Sequence, residues 1–203
     1  MLRVLDDARR YGFLGPAPTE HQLAHSERVA GLLGNFEGDF LDLGSGGGLP
    51  GLALANCWPE ATGALLDSQE RRCEFLEEAL ARLELTHRVR VLCGRAEALA
   101  RDPALRGRFE MVVARGFGPP AVTAECGVGF LVPEGRLVVT EPPESESRRT
   151  SRWDSAGLAR LGFRGPEFLR KGESGIAVLW LTEAPADDWP RRVGLPGKRP
   201  LWR

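Results

Sequence analysis

The fold of this chain is decided by a short apolar run followed by glycines, which reads Phe40-Leu41-Asp42-Leu43-Gly44-Ser45-Gly46-Gly47-Gly48-Leu49-Pro50-Gly51. The apolar residues predict a buried β-strand. The glycines predict a tight turn, because glycine adopts positive φ angles easily and lets a ligand approach the bare backbone. Pro50 fits the first turn of a helix, whose free N–H groups and dipole favour a carboxylate or phosphate. The stretch therefore predicts a strand, a turn and a helix that bind a ligand with an anionic group.

Strands and helices alternate along most of the chain after this stretch. Apolar runs predict further strands at 61–66, 89–93, 110–114 and 135–140. Apolar residues at helical spacing predict helices at 50–56, 96–100 and 119–128, and a further helix that Ser68 caps and that contains the apolar positions from Cys73 to Leu83. A helix at 155–161, a weak strand near Phe168 and a strong strand at 176–181 close the pattern. The alternation predicts an α/β fold with a doubly wound, Rossmann-like parallel sheet, in which ligands bind beyond the carboxyl ends of the strands.

The residues before the glycine-rich stretch predict a short helical addition. Thr19-Glu20-His21-Gln22 has the Thr-x-x-Gln form of a capping box, and the residues after it predict a helix of about four turns. His21 and His25 are four residues apart, but Gln22 stands where an H-E-x-x-H zinc protease needs glutamate, so we predict no metal site. We expect a single domain, with the helical addition at 1–36, the core at 37–183 and a basic tail at 184–203.

Size and composition indicate a globular protein. The chain has 203 residues, a net charge of −1 and 42% apolar residues. No run approaches the roughly 18 consecutive apolar residues of a membrane span, and the N-terminus, with Asp6 and Asp7, does not resemble a secretory signal. We therefore expect a cytoplasmic protein without membrane contact, and we also expect a monomer. Prolines, serines and opposed charges at 141–152 predict a mobile loop. We expect reduced thiols rather than disulfides or zinc ligands, because the cysteines are irregularly spaced, at Cys57, Cys73, Cys93 and Cys126.

Two classes of cofactor fit the glycine-rich turn. Gly46-x-Gly48-x-x-Gly51 matches the G-x-G-x-x-G pattern of nicotinamide-dependent dehydrogenases. The other frame, Asp42-x-Gly44-x-Gly46-x-Gly48, is typical of S-adenosylmethionine enzymes, and a carboxylate beside the turn suits a ligand with an ammonium and a sulfonium group. Asp67 could accept ribose hydroxyls from either cofactor. The acid at position 42 thus favours S-adenosylmethionine, and a dehydrogenase remains the alternative.

Several motifs resemble one known family. They are the stretch from Asp42 to Gly51, Leu66-Asp67-Ser68, Gly94-Arg95-Ala96-Glu97, Ala114-Arg115-Gly116-Phe117, and the tail segments Trp189-Pro190-Arg191-Arg192 and Gly197-Lys198-Arg199-Pro200-Leu201. Together they resemble the bacterial small-subunit ribosomal RNA guanine-7 methyltransferase family, also called the glucose-inhibited division protein B family. The resemblance implies a class I S-adenosylmethionine-dependent methyltransferase that acts on nitrogen 7 of a guanine in 16S ribosomal RNA, either free or in a small-subunit precursor.

The resemblance also implies roles for individual residues. The methionine part of the cofactor would be surrounded by Asp42, Gly44, Ser45, Gly46, Gly48 and Leu49, the ribose by Asp67 and Ser68, and the adenine by Ala96 and Glu97. Arg115 would border the cofactor and position the target, by donating to the guanine oxygen or by binding phosphate. No general base is expected, since guanine N7 has a lone pair and no proton, and catalysis would depend on positioning and desolvation.

The end of the chain is basic and would supply the RNA contacts. From Pro190 onward it contains no acidic residue, and the resemblance implies RNA binding by Arg191, Arg192, Lys198 and Arg199. Where the family places Lys-Gly after the fifth strand, this chain has Thr140-Glu141. Two alternatives therefore stay open, which are a small-molecule methyltransferase and a non-catalytic protein that binds the cofactor and docks on RNA or a partner.

Overall fold

The computed structural model describes residues 1–142 and 151–202. The strands within them are β1 (Asp39–Leu43), β2 (Thr62–Asp67), β3 (Val89–Cys93), β4 (Phe109–Ala114), β5 (Leu131–Glu141), β6 (Phe163–Lys171) and β7 (Ser174–Leu181). The helices are α1 (Leu2–Arg10), α2 (Thr19–Leu33), α3 (Gly51–Cys57), α4 (Glu70–Arg82), α5 (Ala96–Leu99), α6 (Pro120–Val128), α7 (Ser155–Arg160) and α8 (Leu195–Lys198).

The strands form one sheet in the order β3-β2-β1-β4-β5-β7-β6. Strands β1 to β5 are parallel, whereas β7 is antiparallel to both of its neighbours. The strand order reverses beside β1, so a crevice opens at the carboxyl ends of β1 and β4, where doubly wound sheets bind ligands. The predicted α/β, doubly wound, Rossmann-like fold is confirmed, and the antiparallel direction of β7 is an addition to it.

Helices cover both faces of the sheet because successive side chains of each buried strand point to opposite faces. On one face Phe40 packs in a cluster with buried residues of α2, α3 and α4. On the other face Leu41 and Leu43 pack with residues of α5, α6 and α7. The middle strands are therefore mostly apolar, and their polar residues lie at or next to the ends of each strand.

The N-terminal addition consists of two helices, of which α1 was not predicted. Both pack on the first face of the sheet. The predicted capping box is wrong, since Thr19 lies inside α2 and donates its hydroxyl to Asp6, 2.7 Å away. The Gln22 amide instead donates to the carbonyl oxygens of Gly15 at 3.1 Å and Ala17 at 2.9 Å. Gln22 therefore ties α2 to the segment that precedes it.

The predicted loop at 141–152 is described only at its ends, since residues 143–150 lie outside the described ranges. Glu141 ends β5 and is buried rather than being part of a loop. Its carboxylate accepts hydrogen bonds from Trp153 at 3.0 Å and Arg152 at 2.8 Å. The start and the end of this segment are thus held together against the core.

No helix in the described ranges is long and apolar enough to cross a membrane. In the same ranges no group of three or more His, Cys, Asp or Glu side chains is arranged to hold a metal ion. The four cysteines are free thiols.

Candidate functional site

The glycine-rich turn after β1 is closed by its own aspartate. Asp42 is fully buried, and its Oδ2 accepts the N–H of Gly51, the first residue of α3, at 2.9 Å. A Cβ at Gly51 would overlap Asp42 and Leu65, so only glycine fits there. The N–H of Gly51 at the start of α3 is therefore already bonded to a carboxylate of the chain itself, at a place where the sequence predicts an anionic group of a ligand.

The other oxygen of Asp42 is the unusual feature of this turn. Asp42 Oδ1 is buried and has no hydrogen-bond partner in the part of the chain that the structure describes. Burial raises the pKa of Asp42 to about 7, against the opposing effects of the Gly51 N–H, the Ser45 hydroxyl and the Arg115 charge. An acceptor left in this state costs free energy until a donor or a cation reaches it.

Asp67, at the end of β2, joins the turn to the next helix. Its Oδ2 accepts the N–H of Gly46 at 2.9 Å, and its Oδ1 accepts the N–H of Gln69 at 3.0 Å. Arg72 lies 3.5 Å from the same carboxylate. The prediction that Ser68 caps α4 is wrong, because Gln69 is the residue at the cap and Asp67 supplies the acceptor. Asp67 thus keeps the ends of β1 and β2 in a fixed relation.

Glu97 follows β3 and is 2% exposed. Its Oε1 accepts hydrogen bonds from Arg95 and from the N–H of Gly194, both at 2.9 Å. Burial raises the pKa of Glu97, but these hydrogen bonds outweigh burial and the net shift is downward. Its Oε2 is buried and, among the residues that are described, has no partner. Glu97 is therefore an anion with one unused acceptor.

A first cavity of about 410 Å³ lies between these strand ends. Five of the residues predicted to bind the cofactor line it, namely Gly44, Asp67, Ser68, Ala96 and Glu97. The other turn residues form the layer behind the cavity, with Ser45 bonded to the Asp42 carbonyl at 3.1 Å and Leu49 packed against Leu5 and Ala53. Some of the residues predicted to bind the cofactor therefore line the cavity, and the others hold the turn next to it in place.

The C-terminal tail forms one wall of this cavity, through Gly194, Gly197 and Lys198. The tail is held by Arg191, whose guanidinium contacts the fully buried carboxylate of Glu125 at 2.6 and 2.7 Å. Sequence reasoning missed this wall, and the only signal for it was the resemblance of the tail itself. Of the four residues predicted to bind RNA, Arg191 is therefore engaged inside the protein.

A second cavity, of about 590 Å³, lies on the other side of Arg115. It is lined by α2, the ends of β4 and β5 and the turn before β7, with His21, Gln22, His25, Arg28, Arg115, Thr140, Glu141 and Glu173 among its residues. Arg115 lines this cavity and not the first one. The next residue, Gly116, lines the first cavity, so the end of β4 borders both cavities.

The polar groups of the second cavity form two chains of hydrogen bonds. Arg115 Nη2 donates to Gln22 Oε1 at 3.1 Å, while its Nη1 is buried and lacks a partner within residues 1–142 and 151–202. His25 Nδ1 and Arg28 Nε each lie 2.9 Å from Ser174 Oγ. Burial lowers the pKa of His25, and the charges of Arg115 and Arg28 lower it further. The cavity therefore presents two guanidinium cations, Arg28 and Arg115, and a neutral imidazole.

Comparison with known proteins gives relatives along most of the chain. A family profile described as rRNA small subunit methyltransferase G matches residues 17–152. A protein of Prochlorococcus marinus (strain NATL2A) named ribosomal RNA small subunit methyltransferase G is 32% identical over 80% of this chain and 67% of its own length. A Deinococcus deserti protein of the same name is 34% identical over 83% of this chain and 71% of its own.

Solved structures show the same fold at lower identity. A SAM-dependent methyltransferase from Aquifex aeolicus superposes with a TM-score of 0.61 at 17% identity, over 87% of this chain and 97% of that one. A putative S-adenosyl-L-methionine-dependent methyltransferase from Methanococcus maripaludis gives 0.59 at 17% identity, over 81% and 87%. These likenesses concern the fold. The family profile and the relatives show that this chain belongs to the ribosomal RNA small subunit methyltransferase G family.

Proposed function

We propose that this chain methylates nitrogen 7 of a guanine in 16S ribosomal RNA, with S-adenosylmethionine as the methyl donor. Membership of the family supports the reaction and the substrate. The observation that carries the proposal is the position of Arg115, which lines the second cavity while the next residue, Gly116, lines the first. A cofactor in the first cavity and a base in the second would meet beside this residue.

The groups around the first cavity fit S-adenosylmethionine. Asp42 and Glu97 each contain a buried oxygen that, in the described ranges, has no hydrogen-bond partner. The ammonium of the methionine part and the amino group of adenine are the donors such oxygens need. Asp67, with Ser68 beside it, would accept the ribose hydroxyls.

The glycine-rich turn would supply the floor of this site. A Cβ at Gly44 would overlap the ring of Phe117, so bare backbone borders the cavity at this point. We propose that Ser45, Gly46, Gly48 and Leu49 hold the turn in place, since Ser45 bonds to the β1 backbone and Gly46 to Asp67. These residues would shape the site for the methionine part.

In this reaction the main contribution of the protein would be to position the cofactor and the base. S-adenosylmethionine supplies a methyl group on a sulfonium sulfur, which keeps the electrons of the broken S–C bond while the N7 lone pair forms the new N–C bond. N7 carries no proton, so the residues need not remove one. Their work is to hold the base, to keep water out and to orient the lone pair. The lowered pKa of His25 keeps that residue from adding a further cation beside Arg28 and Arg115.

RNA would approach over the tail. Arg192, Lys198 and Arg199 are exposed and form no ion pair with any described residue, and Lys198 lies at the edge of the first cavity. Arg191 is bound to Glu125, so we propose that it holds the tail while the other three bind phosphates.

A substitution in the RNA tests the proposed atom. We would incubate the protein with radiolabelled S-adenosylmethionine and two 16S transcripts, one normal and one in which guanine is replaced by 7-deazaguanine. Methylation of the normal transcript only is expected, because 7-deazaguanine has carbon at position 7. Equal methylation of both would contradict the assignment to N7. If the transcripts and small-subunit particles all remain unlabelled, the proposed function is wrong.

A further inference from the structure

Gln22 is held in one orientation by bonds that involve both ends of its side-chain amide. Its NH2 group donates to the carbonyl oxygens of Gly15 and Ala17, at 3.1 and 2.9 Å. Backbone carbonyls only accept, so the nitrogen of the amide must face them and the oxygen must face away. That oxygen accepts from Arg115 Nη2 at 3.1 Å. Because Gln22 is 5% exposed, water does not compete for these bonds.

This arrangement divides the guanidinium of Arg115 into a bound part and a free part. Nη2 is engaged by Gln22, whereas Nη1 has no hydrogen-bond partner among the residues described. A neutral amide acceptor holds the arginine without neutralising its charge. A carboxylate in the same place would pair with the guanidinium and weaken its attraction for a ligand.

We infer that Gln22 is a positioning residue that aims Arg115 Nη1 at the keto oxygen of the target guanine in the second cavity. The inference rests on the proposed function. Guanine presents two acceptors on this edge, N7 and O6, whereas adenine presents N7 and an amino group. A donor on O6 holds guanine and leaves the N7 lone pair free, and it repels the amino group of adenine. The helix α2 would thereby select the base.

The first part of the test needs no enzymatic activity. Gln22→Leu removes the acceptor and replaces the amide by an apolar side chain of similar size. Glu27→Gln, on the exposed side of α2, is the control. We would measure the rate at which phenylglyoxal modifies Arg115, by mass spectrometry of the peptide. A several-fold faster modification in Gln22→Leu alone is expected. An unchanged rate would overturn the inference, because Arg115 would then not depend on Gln22.

The second part separates positioning from a structural role. Gln22→Leu should lower kcat/KM for 16S RNA by about 10- to 100-fold, the range for losing one hydrogen bond to a charged group, with the affinity for S-adenosylhomocysteine unchanged. In an Arg115→Lys background the same substitution should cost less than about threefold, because the group it positions is gone. Equal losses in both backgrounds, or a parallel loss of cofactor affinity, would show that Gln22 only maintains the fold.

The outcomes distinguish the two proposals. If the wild type methylates 16S RNA and Gln22→Leu stays within about twofold of it, the inference fails and the proposed function stands. If the wild type does not methylate 16S RNA but Gln22→Leu exposes Arg115 to phenylglyoxal, the proposed substrate fails and the Gln22–Arg115 contact stands.

Discussion

Replacement of Asp42 by Asn offers a sharp test of the cofactor site, because Asp42 combines complete burial with an unpartnered oxygen. Burial raises its pKa from 3.8 to about 7. A cationic ligand binds better to the ionised carboxylate, so binding below about pH 7 requires the loss of a proton. The affinity for S-adenosylhomocysteine should therefore rise with pH, by at most about tenfold per unit, and level off above about pH 7.

Asp42→Asn should remove this dependence. The asparagine oxygen can still accept the N–H of Gly51, but its NH2 group replaces the free acceptor and carries no negative charge. At pH 8 the substitution should cost about 1.5–3 kcal/mol of cofactor binding, the value of a hydrogen bond to a charged group. Asp39→Asn, at the exposed beginning of the same strand, should bind as the wild type does at each pH.

Isothermal titration calorimetry from pH 5.5 to 8.5, in buffers of different ionisation enthalpy, measures both the affinity and the protons released. About one proton should leave per molecule bound at pH 6, and none in Asp42→Asn. The folding stability of the unliganded protein should depend on pH in the opposite direction. The folded state holds the Asp42 proton more tightly than the unfolded chain does, so the free energy of unfolding should fall as the pH rises from 3.8 to about 7. An affinity that is flat with pH, or an equal slope in Asp42→Asn, would refute the reasoning.

Three further perturbations test other parts of the structure. Asp67→Ala removes the acceptor of two backbone N–H groups, so the free energy of unfolding should fall by about 2–4 kcal/mol, and cofactor affinity should fall with it. Wild-type values in denaturant titrations and calorimetry would count against this role of Asp67. Truncation after Asp188 removes one wall of the first cavity, so S-adenosylhomocysteine should bind more weakly, whereas unchanged binding would make the tail an RNA arm only. Burial and the charges of Arg115 and Arg28 lower the pKa of His25, so Arg115→Leu should raise this pKa in an NMR titration of the imidazole. A constant pKa would mean that the two groups are not close.

The central part of the fold follows from local pattern. The run from Phe40 to Gly51 predicts a strand, a turn and a helix, and the structure contains β1 and α3 there. Buried parallel strands are mostly apolar, so their positions along the chain are visible in the sequence. The direction of β7 is set by its pairing with β5 and is not visible in this way. The helix α1 has many charged residues and was missed, since its stability comes from the face that it buries.

In the two cavities, too, some residues could be placed from local sequence pattern and others only from the folded structure. Asp67 and Glu97 each follow a predicted strand, and parallel strands bring their carboxyl ends to one edge, so sequence reasoning could place both at the first cavity. The contact between Glu97 and Gly194 spans 97 positions, and that between Gln22 and Arg115 spans 93. No periodicity links residues so far apart in the chain. The tail wall and the Gln22 contact therefore required the folded structure.

The central claim, guanine N7 methylation of 16S ribosomal RNA, is tested most directly by mapping the modification in cells. Borohydride and aniline cleave RNA at N7-methylguanine, and primer extension locates each break. In the organism that encodes this chain, deletion of its gene should abolish one such break in 16S RNA, and the wild-type gene should restore it. If every aniline-sensitive guanine of the parent strain persists in the deletion strain, the proposed reaction is contradicted.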